Sequence, residues 1–115
     1  DNDFEAATTE FDTVLSLDPA HFATRLFQAI CFLNLERPAE AHVALTACVA
    51  QRPNFQWNYY FRAQAQISLG QPERAIDDLK QATMGRRQSI VVDLALRQLE
   101  TVQKSSNDSF SKGAE

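Results

Sequence analysis

At 115 residues, with 44% apolar and 23% charged side chains, the chain has the make-up of one ordinary globular domain, long enough to withdraw roughly two thirds of its unfolded surface from water. A net charge of −4 argues against a nucleic-acid partner, which needs clustered Lys and Arg to displace counterions. No apolar run approaches the roughly 18 residues of a membrane-spanning helix, so no membrane partner is expected. In chain order, Phe4, Ala7, Phe11, Val14 and Leu15 mark a first helix that ends near Leu17, where Asp18-Pro19 interrupts it. A second runs from about Ala20 to Asn34; a third has Pro38 in its first turn and stops before Pro53. Asn54 is placed to cap a fourth, through about Ser68, and Leu69-Gly70-Gln71 turns into a fifth opening at Pro72. Met84-Gly85 closes that one, and a sixth runs from about Ser89 to Lys104 on the stripe Val91, Leu94, Leu99 and Val102. The small polar stretch 105–115 is expected to be a disordered tail.

Two of these turns share a motif. Leu35-x-x-Pro38-x-x-Ala41 returns 34 residues later as Leu69-x-x-Pro72-x-x-Ala75. The same step relates Ala7, Ala41 and Ala75; Phe11, Leu45 and Leu79; Val14, Cys48 and Ala82; and Pro19 and Pro53, without a gap. An alanine, a large apolar residue four later, a small one three further and then proline resembles the tetratricopeptide repeat, a helix-turn-helix unit of about 34 residues. The resemblance covers 1 to about 103. It implies an all-α fold of antiparallel helix-turn-helix repeats stacked as a short right-handed α-solenoid: a partial repeat over about 1–21, whole repeats over 22–55 and 56–89, and a capping helix over 89–104. The chain opens at Asp1 without methionine, which suggests a segment of a longer protein.

The residues support that pairing independently. Ala29 and Ala41 are equidistant from Leu35, and Ala63 and Ala75 from Leu69, so each pair faces across an antiparallel hairpin and lets its helices approach closely. Arg62 and Asp78 are equidistant from Gly70; a pair there would hold register, and two solvated side chains are the alternative. Cys31 and Cys48 lie in apolar runs with no CxxC spacing and are expected as buried thiols. The first helix of each repeat departs from the family pattern, with Gln28, Ala29 and Phe32, then Arg62, Ala63 and Gln66, and the next cycle has Arg87 where proline would recur.

No constellation for catalysis is apparent, and neither enzyme activity nor a cofactor or metal is expected. His21 and His42 lack an acidic partner at ligand spacing, Gly70, Gly85 and Gly113 form no phosphate loop, and Asp77-Asp78 point to different sides of one helix. Arg86-Arg87 beside Lys80 is a small basic corner, and the first eighteen residues hold six acids and no base, read as a solvated face or a dock for a basic partner.

In the family, the first helices of the repeats line a concave face that holds peptides or helices. The corresponding positions here are Ala23, Leu26, Ile30 and Leu33, then Trp57, Tyr60, Gln64 and Ile67, then Val91, Leu94, Gln98 and Thr101, with Phe27 and Phe61 alongside. This face lacks the Lys, Arg and Asn with which relatives clamp the acidic tails of heat-shock chaperones. The resemblance therefore implies a non-catalytic protein–protein interaction module with an apolar, aromatic groove for a protein or peptide partner, Trp57 and Tyr60 being candidate anchors. Alternatively, Trp57, Tyr60 and Phe61 are plain core. The chain could also be a structural or self-association segment of a larger, possibly bacterial signalling, protein, since RPNFQWNYYFRA is similar to repeats in such arrays. A homodimer through Phe4, Phe11, Phe22 and Leu26 is a further expectation, as is a cytoplasmic setting, from free cysteines and the lack of a signal peptide.

Overall fold

Proline decides where two of the helices begin. Pro38 and Pro72 sit in the first turn of their helices, where the missing N–H is one that no helix uses. The computed structural model describes the backbone of residues 2–85 and 89–114 and the side chains of residues 3–85 and 89–105. Among these residues the chain forms α1 Asn2–Leu17, α2 Phe22–Asn34, α3 Pro38–Gln51, α4 Gln56–Ser68, α5 Pro72–Ala82 and α6 Ile90–Ala114.

Three boundaries differ from expectation. The N-cap of α4 is Phe55, with no side-chain cap, rather than Asn54. Phe55 stands one repeat after His21, the N-cap of α2, whose Nδ1 accepts from the Thr24 N–H at 3.2 Å. In the second unit the stabilising bonds come instead from Asn58, which is buried and donates to the carbonyls of Cys48 at 3.2 Å and Arg52 at 3.0 Å, tying the start of α4 to the end of α3. Helix α5 ends at Ala82, before Met84-Gly85. Helix α6 continues to Ala114 through the stretch expected to be a disordered tail. Neither proline nor glycine interrupts it before Gly113, and Ser, Asn and Asp lower helix propensity by only a few tenths of a kcal/mol each.

The two hairpin turns are copies. The N–H of Arg37 bonds the Phe32 carbonyl at 2.8 Å and that of Gln71 bonds the Gln66 carbonyl at 2.9 Å, a six-residue closure that turns the chain back on itself. Each hairpin closes on alanine: Ala29, Ala41, Ala63 and Ala75 are all 0% exposed, as close helix approach requires. Every helix packs on the next in sequence, α2 touches α4 and α4 touches α6, whereas α1, α3 and α5 do not meet one another. The first helices of successive units thus form a tight inner row and the second helices a looser outer one. The core divides accordingly. Phe22, Leu26, Phe32, Leu45 and Cys48 fill one cluster, and Leu79, Val91, Val92, Leu99 and Val102 fill the other. A radius of gyration of 15.5 Å, against about 13 Å for a compact domain of about 100 residues, reflects this one-dimensional stacking. The molecule is an all-α helical-repeat solenoid.

Both cysteines are free and buried, and loss of hydration raises the Cys48 thiol to about 11. Arg62 and Asp78 form the bidentate pair that their spacing suggested, with both N···O distances at 2.7 Å. Arg86 and Arg87 lie outside the described residues, so the basic corner has no structural description.

Candidate functional site

Where α2 and α4 run side by side, a groove of about 330 Å³ opens between them, lined by Ile30, Leu33, Asn34, Phe61, Gln64, Ile67 and Ser68. Helical periodicity explains the set. Ile30, Leu33 and Asn34 share one face of α2, and Phe61, Gln64, Ile67 and Ser68 share the matching face of α4. Ile30 and Gln64, Leu33 and Ile67, and Asn34 and Ser68 are each 34 residues apart, so the groove is built from one position set used twice. Its lining contains no charged side chain. The Asn34 amide donates to the Ile30 carbonyl at 2.9 Å and the Gln64 amide to the Tyr60 carbonyl at 3.4 Å, so both are held along their own helices. A second hollow of about 310 Å³ shares Leu33 and Ser68 and extends to Glu36 and Pro38, which gives this end of the groove one acidic residue.

Of the positions expected from the sequence, Ile30, Leu33, Phe61, Gln64 and Ile67 come together here. The others do not line it. Leu26 is buried in the first core, Ala23 is exposed, and Phe27 is 55% exposed on the preceding turn of α2. Trp57 and Tyr60 stand behind the groove and pack on the second core. Trp57 stacks on Phe61 with ring centroids 5.5 Å apart, and Tyr60 meets the same ring edge-on at 5.7 Å. The lining aromatic is therefore Phe61, supported by the two rings named as anchors from the sequence. Asn34 and Ser68 were missed there because polar residues near a helix end read as capping signals. Their place one repeat apart was the available clue.

On the opposite side of α2, a furrow of about 390 Å³ runs between α1 and α3, with Asp12, Arg25, Gln28, Glu40 and Val43 among its lining. Buried Gln28 reaches from α2 to α1 at its edge, donating to Asp12 Oδ1 at 2.6 Å and to the Thr8 carbonyl at 3.3 Å. One unit on, Arg62 stands at the position of Gln28 and pairs with Asp78 of α5. There His42, 3.5 Å from Gln66 through their Nε2 atoms, is held below its ordinary pKa by burial first and by the Arg62 cation second, with Asp78 opposing. Among the described residues no group of three or more His, Cys, Asp or Glu is arranged to hold a metal ion, and no helix is long and apolar enough to cross a membrane.

Comparison with known proteins agrees with this geometry. Residues 58–84, comprising most of α4, the turn and α5, match the family model described as Tetratricopeptide repeat. No curated protein sequence matches the chain. Two solved structures share the fold with TM-scores of 0.73: the MamA RS-1 ArsTM double mutant, 22% identical over 91% of this chain and 68% of that one, and MamA 41-end from Desulfovibrio magneticus RS-1, 23% identical over 93% and 68%. With the repeat register, the paired alanines and the copied turns, these matches identify a tetratricopeptide repeat at residues 58–84 within an all-α helical-repeat fold.

Proposed function

We propose that this domain is a non-catalytic interaction module whose α2–α4 groove receives an apolar segment of a partner protein. The observation that carries the reading is the groove itself. Five expected positions on two helices one repeat apart converge on an uncharged cleft around Phe61, apolar along Ile30, Leu33 and Ile67 and polar at Asn34, Gln64 and Ser68, a setting for peptide recognition by a few anchors. Asn34, Gln64 and Ser68 supply polar groups at its margins for the backbone of the bound segment. With no cation in the lining, an acidic tail would meet nothing to neutralise it.

Selection of peptides from a displayed random library, followed by titration with the tryptophan signal, tests this. Trp57 is the only tryptophan and stacks on Phe61, so occupancy of the groove changes its emission. Bound peptides should be rich in apolar residues, Phe61→Ala should weaken them about thirtyfold, and salt raised to about 1 M should change little. Affinity that falls steeply with salt, or is indifferent to Phe61→Ala, refutes the assignment.

A further inference from the structure

The second unit shows how this fold occupies the space between α3 and α5 with its own side chains. Tyr59 lies there with its hydroxyl donating to the Pro53 carbonyl at 2.6 Å, and the bidentate Arg62–Asp78 pair lies beside it. One repeat earlier the same three positions hold Arg25, Gln28 and Ala44. Arg25 keeps the copied contact, its Nη2 donating to the Pro19 carbonyl at 2.7 Å. Gln28 turns to α1 instead, and only a methyl group stands where Asp78 would be. The furrow of about 390 Å³ between α1 and α3 lies where that side-chain volume is missing. This side of the row is open even where the preceding helix is in place: Thr46, the counterpart of Asp12, is exposed although α2 packs on α3.

Three charged side chains line the furrow, Asp12, Arg25 and Glu40. Glu40 is held by Arg37 through two contacts of 2.6 Å. Among the described residues Arg25 forms no ion pair, Asp12 has the neutral Gln28 amide at 2.6 Å, and the two do not pair with each other. Opposite charges that share a hollow without neutralising each other are complementary to a ligand that carries both. The rest of the lining is mostly apolar, with Phe32, Val43 and Ala44. Arg25, Gln28 and Phe32 follow one another along one face of α2, and Asp12 is held at the level of Gln28, so the charges gather towards one end of the furrow and the ring lies at the other. From this we infer that the furrow binds a free α-amino acid with an apolar side chain, its carboxylate on Arg25, its ammonium group on Asp12 and its side chain directed over Ala44 to Phe32. The volume is at the small end of ligand pockets, which run from roughly 300 to 1,000 Å³. A peptide terminus fits less well, because it brings one of the two charges and leaves the other unanswered.

Calorimetric titration of residues 1–115 with L-phenylalanine and with L-leucine tests this. The expected result is saturable binding of at least one of them with a Kd at or below about 1 mM. Arg25→Gln and Asp12→Asn should each weaken it at least roughly tenfold. For phenylalanine, 3-phenylpropanoate, which lacks the ammonium group, and phenylalaninamide, which lacks the carboxylate, should each bind at least roughly tenfold less tightly than the amino acid. Asp12 is exposed and Arg25 half-buried, so neither substitution opens the core, and circular dichroism checks that both variants remain helical. No saturation by about 10 mM, binding indifferent to both substitutions, or analogues as tight as the amino acid would overturn the proposal. Phe61→Ala should leave this binding unchanged, which separates its outcome from that of the α2–α4 groove; loss at Phe61 with indifference at Arg25 would place the amino acid in the groove and refute the furrow.

Discussion

Glu36 and Gly70 stand one repeat apart and share the left-handed backbone, with φ of 57° and 74°. Both follow the C-cap of a hairpin's first helix, Leu35 and Leu69, and permit the closure from Arg37 to Phe32 and from Gln71 to Gln66. The geometry belongs to the turn, and only the second unit has the residue suited to it. An added Cβ at Gly70 meets nothing within 4 Å, so Gly70→Ala should cost about 1 kcal/mol through backbone strain alone. Glu36→Gly should be neutral or stabilising by a smaller amount, since relief of strain is offset by a freer unfolded chain. Denaturant midpoints decide this, and a marked loss at Glu36→Gly would show that its side chain supports the turn.

The hairpin crossings leave no room for growth. Ala41→Leu and Ala75→Leu should each destabilise the domain by about 1–3 kcal/mol, because both alanines are fully buried. Ala39→Leu, on the exposed side of α3, should change little in the same urea titrations.

For the Arg62–Asp78 pair, the carboxylate is the more buried partner, its side chain 7% exposed against 20% for the guanidinium. Arg62→Met would leave that carboxylate without its bidentate donor and should cost about 3 kcal/mol. Adding Asp78→Leu should recover most of the loss, and a double-mutant cycle reads the coupling directly. Equal, additive losses would mean that the two side chains act separately.

His42 makes stability depend on pH. Burial and the nearby Arg62 hold it below its ordinary 6.5 in the folded state, so on acidification the unfolded chain takes up this proton first. The contribution is fully present above about pH 6.5 and declines as pH falls through the interval down to the depressed folded value. Unfolding midpoints measured from pH 7 to pH 5 should fall less in His42→Gln than in the unaltered protein; parallel curves would remove His42 as a cause.

The sequence by itself determined the helix pairing. A gapless 34-residue step, alanines equidistant from each turn, and prolines at helix starts are local or periodic signals. They placed α1 to α5 nearly to the residue, anticipated the Arg62–Asp78 pair and marked both thiols as buried. It could not show how α2 lies beside α4, because that offset follows from how the buried side chains of three helices fill space together. The offset turned Phe61 into the groove and set Trp57 and Tyr60 behind it, although all three are aromatic residues on one helix. Likewise the left-handed turn at Glu36 was invisible in a residue that ordinarily avoids it, and only closure of the hairpin imposes that backbone. The apolar rows of α3 and α5 were legible as well, but burial is a property of neighbours: it depends on what another helix covers, and the tertiary structure alone shows that α2 covers α3 and α4 covers α5.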